Sequence, residues 1–110
     1  MITDADIKRV VERIVAFENP DAIYAFGSCA KSVQHDRSDL DLLVIQRTEL
    51  PRRLRGRDVV GMLAEMPFDI DVLFVTPEEL AADASDPRTL LGTIVPTSIE
   101  VYRRHALAEA

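Results

Sequence analysis

Two acidic side chains spaced two residues apart, Asp39 and Asp41, open an apolar run that continues to Ile45. In an extended chain residues i and i+2 share a face, so the two carboxylates stand side by side, roughly 6 to 7 Å apart along the backbone. Anions at that spacing repel unless something positive lies between them. A hard cation with oxygen ligands answers the need, and Mg²⁺ typically takes one or two carboxylates together with phosphate oxygens and waters. A third carboxylate from a later strand, where Asp71 follows Asp69 on the same face, would complete a site for two ions. Such a site lowers the pKa of an attacking hydroxyl and steadies the leaving oxygen of an in-line displacement. Gly27 and Ser28 supply the complementary half. Glycine lets backbone approach a ligand closely, and free N–H groups at the start of a following short helix point at phosphates. The Ser28 hydroxyl and the Lys31 ammonium add to that side. A Gly-Ser pair alone occurs in countless turns, so its weight comes from the ten residues and the Asp39-Leu40-Asp41 that follow it.

These groups need a scaffold that brings them to one rim. Ile7, Val10, Val11, Ile14 and Val15 recur at helical spacing after Thr3 and Asp4, which can cap the first turn, and Asn19-Pro20 is a stop signal. Ala22 to Phe26 is an apolar run of β-formers ended by Gly27, the pattern of a strand. A short helix over Cys29 to Val33 and a loop over Gln34 to Ser38 are expected next. Leu40 to Ile45 reads as a second strand and Phe68 to Val75 as a third. Leu50 to Met66 between them is long enough for a helix, with Leu54, Val59, Val60, Leu63 and Met66 as its buried positions. Thr76 and Pro77 mark another helix start. Pro87 to Ile94 is read as a short helix, Ser98 to Tyr102 as a last edge strand and Arg103 to Ala110 as a helical or frayed tail.

Strand direction follows from the chemistry. Gly27 ends the first strand whereas Asp39 and Asp41 open the second, so they share a rim only if those strands are antiparallel. The third strand also begins with its aspartates, and a crossover helix separates it from the second, the arrangement of parallel neighbours. The expected fold is therefore α/β (α+β), a small mixed sheet flanked by helices.

The whole chain of 110 residues, with 47% hydrophobic content, reads as one domain spanning 1–110. With no room for a second full domain, an acceptor substrate is expected on another molecule or at a homo-oligomer's shared cleft. Thirteen basic against nineteen acidic residues give a net charge of −6, which disfavours a nucleic-acid backbone as ligand and suits divalent cations. Cys29 is the single cysteine. With no apolar span or signal-like start, the chain is expected to be cytoplasmic and off the membrane.

The Gly27-Ser28 pair, its ten-residue spacer and Asp39-Leu40-Asp41-Leu42-Leu43-Val44, preceded by an apolar strand, resemble the MNT group of minimal nucleotidyltransferases within the DNA polymerase β-like superfamily. Asp71-Val72-Leu73-Phe74-Val75-Thr76-Pro77-Glu78-Glu79 is similar to that family's third-aspartate strand. The likeness runs over about residues 5 to 102. It implies the nucleotidyltransferase fold, with Gly27 and Ser28 on the β- and γ-phosphates of ATP. It also implies Asp39 and Asp41 on two Mg²⁺ ions, and Asp71 on the catalytic ion, helping to activate the acceptor hydroxyl. Asp71 is preferred to Asp69 because it directly precedes the apolar run. Where the family often has Arg-Gly, this chain has Lys31-Ser32, which keeps the charge and loses a flexible residue. The reaction implied is transfer of AMP from ATP to a hydroxyl with release of pyrophosphate, by resemblance on a HEPN-domain toxin partner.

Plainer readings stand beside these. Arg52, Arg53, Arg55 and Arg57 are most simply a solvated helix face. His35 is incidental in a polar loop, Cys29 is a small packing residue, and Tyr102 packs. As an alternative function, the chain is an antitoxin-like binding module that neutralises a partner by contact, with weak catalysis or none. A transferase acting on a small antibiotic-like hydroxyl is a third reading.

Overall fold

The computed structural model describes residues 2–27 and 40–104. Helix α1 spans Asp4–Glu18. Thr3 caps it: its hydroxyl accepts from the Asp6 N–H while the Asp6 carboxylate accepts from the Thr3 N–H, a reciprocal box that satisfies two end donors. Asn19 closes the helix in the left-handed conformation.

Strand β1 covers Ala22–Phe26, β2 Leu40–Ile45, β3 Ile70–Val75 and β4 Ile99–Arg103, in the spatial order β3-β2-β1-β4. The pair β1/β2 is antiparallel and β2/β3 parallel, as the shared rim required. The link between β2 and β3 departs from the expected single helix over 50–66. It is a 3₁₀ turn at Arg52–Leu54 followed by helix α2, Arg57–Leu63. Gly56 lies between them at φ 69°, and a Cβ there would run into the Phe74 ring. The break is therefore imposed by close packing of backbone on an aromatic side chain. Val60, expected inside, is 51% exposed, whereas Val59 and Leu63 are buried.

After β3, Thr76 caps helix α3, Pro77–Asp83, through a second reciprocal box with Glu79. Thr89 caps the short helix α4, Leu90–Ile94, by accepting from the Gly92 N–H.

Strand alternation divides the interior into two layers. Ile23, Ala25, Leu40, Leu42, Val44 and Phe74 face α1 and α2, where they meet Val10, Val11, Ile14, Val59 and Leu63. Ala22, Leu43, Ile45 and Val75 face the other way, against Leu80, Leu91 and Ile94 of α3 and α4. Each fully buried Val, Leu, Ile or Phe side chain among these contributes about 1.5–3 kcal/mol. A one-residue slip of β2 would exchange its two faces, so burial on both sides fixes the register. Tyr102 packs partly buried against the first layer, as read from the sequence.

Candidate active site

Asp41 belongs to the face of β2 that also carries Leu43 and Ile45, and Asp71 to the face of β3 that carries Leu73 and Val75. In the parallel register Asp41 pairs with Asp71, Leu43 with Leu73 and Ile45 with Val75. The apolar layer under α3 and α4 thus stops at Leu43 and Leu73, and one step further along the same face stand two aspartates. Adjacent strands run about 4.8 Å apart, so these carboxylates leave neighbouring backbones in parallel. Asp41 is half-buried and Asp71 exposed.

Gly27 arrives at the same place from the other side of β2. Phe26, the last residue of β1, is the register partner of Asp41, and the chain then turns at Gly27 with φ 78°. A Cβ on Gly27 would lie 2.5 Å from Oδ2 of Asp41. Both the left-handed backbone and the close approach call for glycine here. Gly27, Asp41 and Asp71, separated by as many as 44 positions in the sequence, therefore lie along one rim.

Asp69 has the same strand parity as Asp71 but lies outside the paired register. It precedes β3, and its backbone carbonyl accepts from the Leu40 N–H at 2.9 Å, the bond that fixes where the chain enters β2. Ser28, Lys31 and Asp39, with Cys29, His35 and the expected short helix at 29–33, lie outside the described residues. Among the described residues no group of three or more His, Cys, Asp or Glu is gathered as a metal cage. Asp41 and Asp71 form a pair of hard oxygen donors, and glycine at position 27 places no Cβ against the Asp41 carboxylate. This donor chemistry fits a Mg²⁺–phosphate group and offers nothing to a soft metal.

Two features were not visible in the sequence. A cleft of about 440 Å³ borders Asp69 and Asp71 on the outer side of β3, walled by Val60, Leu63, Met66 and Phe68. It joins an exposed stretch of one helix to one strand edge, a juxtaposition that no local pattern encodes. The second is Arg55, read as part of a solvated basic face. Its side chain is only 6% exposed. Its guanidinium donates to the Leu50 carbonyl at 2.9 Å, to the Phe74 carbonyl at 3.0 Å and to both carboxylate oxygens of Glu79 at 2.7 and 3.1 Å. Hydrogen bonds from Arg55, then from the Thr76 N–H, pull the Glu79 carboxyl down from its ordinary 4.5 to about 2. This clamp fixes the end of β3 opposite the rim. The run of four arginines at 52, 53, 55 and 57 concealed that one of them serves the interior.

Residues 7–105 match the family described as polymerase beta, nucleotidyltransferase. The chain belongs to that family. Among solved structures, a toxin–antitoxin complex with AMP-PNP is similar to it at 17% identity and a TM-score of 0.60, over 93% of this chain and 77% of that one. The MntA-HpeT toxin–antitoxin gives the same identity and score over 94% and 76%. A proposed nucleotidyltransferase from Sulfolobus solfataricus follows at 19% identity and 0.58, over 89% and 78%. At these identities the likeness speaks for the fold. No curated protein sequence matches it significantly. The family match agrees with the α/β nucleotidyltransferase fold expected from the motif, and among the described residues no helix is long and apolar enough to cross a membrane.

Proposed function

We propose that this chain transfers AMP from ATP to a hydroxyl of a partner protein, with Asp41 and Asp71 as the carboxylates that hold Mg²⁺ and Gly27 as the close backbone approach to the triphosphate. The observation that carries the reading is the register pairing of Asp41 with Asp71 beside a left-handed Gly27. A metal-binding strand pair has a use for two carboxylates on one rim, on a face whose further positions on β2 and β3, Leu43, Ile45, Leu73 and Val75, are apolar.

In this reading Asp39 joins Asp41 as a ligand, and Ser28 and Lys31 complete the phosphate side. Asp71, exposed where Asp41 is half-buried, faces the acceptor and orients its hydroxyl. When bound, Mg²⁺ lowers the acceptor's pKa and neutralises charge gathering on the leaving pyrophosphate. The acceptor oxygen forms a bond to the α-phosphorus while the bond from that phosphorus to the pyrophosphate oxygen breaks. The hydroxyl proton passes to solvent or to a carboxylate of the rim. Holding both reactants in line is the protein's main contribution, because positioning and electrostatics dominate phosphorus chemistry.

A partner protein, of HEPN type by the resemblance, is supported by the toxin–antitoxin complexes that share this fold, one of them with AMP-PNP. The same complexes favour one second reading, a module that neutralises its partner by contact. The two are separated by incubating the protein, Mg²⁺ and a HEPN-type partner with ATP labelled on either the α- or the γ-phosphate. Nucleotidyl transfer moves the α-label onto the partner and leaves the γ-label in pyrophosphate. Asp41→Asn with Asp71→Asn is expected to abolish the labelling. Undiminished α-label transfer by that double variant would refute the assignment, and neutralisation without any labelling would leave the contact reading.

A further inference from the structure

Among the described residues no strand pairs with the outer side of β3, the edge beside the carboxylate rim. In the parallel ladder the Asp69 carbonyl accepts from the Leu40 N–H and the Val75 carbonyl accepts from the Gln46 N–H, both at 2.9 Å. Odd-numbered positions of β3 therefore turn their backbone groups toward β2, and Ile70, Val72 and Phe74 turn theirs outward. At one end this edge is closed, since Arg55 donates to the Phe74 carbonyl. The remaining stretch, Ile70 to Val72, brackets Asp71 and forms one wall of the 440 Å³ cleft whose other wall is Val60, Leu63, Met66 and Phe68.

We infer that this edge is where the acceptor docks, as an extended segment of the partner protein that adds to β3 as a fifth strand. This rests on the nucleotidyltransferase reading of Asp71. Side chains alternate across a sheet, so the residue of the added strand lying beside Asp71 presents its side chain on the face that carries Asp41 and Asp71. That residue bears the hydroxyl. Its two immediate neighbours point to the opposite face, into the apolar cleft under α2. A residue two positions away returns to the first face level with Asp69, where a positive side chain is favoured and an acidic one repelled. The edge thus specifies a local pattern: a hydroxyl residue with an apolar residue on each side and a Lys or Arg two positions off. Backbone pairing supplies the affinity and the cleft the selectivity, the general logic of strand addition to an open edge. The Arg55 plug stops the added strand before Phe74, which sets its register.

An array of synthetic peptides centred on Tyr, Ser or Thr, incubated with the protein, Mg²⁺ and α-labelled ATP, tests the pattern. Peptides with apolar residues on both sides of the hydroxyl are expected to be labelled at least tenfold more than those with Asp or Pro there. Val60→Asp, at a half-exposed position of the cleft wall, and Val72→Pro, which deletes an outward N–H without touching the ladder to β2, should each lower peptide labelling at least tenfold. Both should bind Mg²⁺ with α,β-methylene-ATP as the unaltered protein does. Labelling indifferent to the neighbours, or unaffected by Val60→Asp, overturns the docking site while leaving the transferase reading intact. So does a homodimer joined through the β3 edges. Failure of the unaltered protein to bind the nucleotide analogue would instead remove the reading beneath it.

Discussion

A methyl group placed on Gly27 would sit 2.5 Å from Oδ2 of Asp41, so the end of β1 and the start of β2 are shaped to each other at the carboxylate itself. Gly27→Ala forces either the left-handed turn or the Asp41 side chain to shift. Left-handed backbone costs a non-glycine residue about 1–2 kcal/mol, so the protein should still fold. Nucleotide transfer should fall by about a hundredfold, since misplacement by about 1 Å at a reacting centre is worth that much. Circular dichroism beside a label-transfer assay checks both expectations.

Asp69 and Asp71 differ in what lies beside them. Asp71 is the register partner of Asp41, whereas Asp69 precedes β3 and lies outside the paired register. With ATP and the partner protein, Asp71→Asn is expected to lower kcat by about a hundredfold or more, the scale on which groups that position or deprotonate a nucleophile act. Asp69→Asn should stay within about threefold on the same scale. Equal losses in the two variants would show that the register does not select the ligand.

Arg55 ties the 50s loop, β3 and α3 together through three backbone or carboxylate partners. Arg55→Met leaves the Phe74 carbonyl and Glu79 without it and should destabilise by about 2 kcal/mol, below the range for fully buried pairs because Glu79 is partly exposed. Arg55→Lys should recover little, since one ammonium cannot replace the two-pronged guanidinium. Urea melts would measure both.

Acid should act on the same clamp. The Glu79 carboxyl has a pKa near 2 in the folded chain against an ordinary 4.5, so the native state binds fewer protons than the unfolded state between those values. The stabilisation is present above about pH 4.5 and is lost as pH falls toward 2. Glu79→Gln should be less stable at neutral pH and show a shallower loss of stability across that window. An unchanged slope in thermal melts from pH 5 to 2.5 would contradict this.

Much of the scaffold could be read from residue types alone. β1 was legible because five apolar residues end at a glycine, α1 because its apolar residues recur at helical spacing after Thr3, and α3 because Thr76 and Pro77 mark its start. The antiparallel and parallel directions followed from asking how Gly27, Asp41 and Asp71 could meet. What escaped was set by distant partners. The apolar spacing of Leu54, Val59 and Leu63 runs straight through Gly56, and only the Phe74 ring, eighteen positions later, breaks the helix there. Arg55 looked like its exposed neighbours because burial beside Glu79 leaves no trace in local sequence. Gly56→Ala accordingly should destabilise by about 2–3 kcal/mol through strain and overpacking on that ring.

Calorimetric titration of Mg²⁺ and α,β-methylene-ATP into the unaltered protein, Asp41→Asn, Asp71→Asn and the double variant addresses the rim directly. The account predicts tight binding to the first, a loss of about tenfold or more in each single variant, and a double loss smaller than the product, because both carboxylates serve one bound group. Binding of the analogue to both single variants as tightly as to the unaltered protein would contradict it.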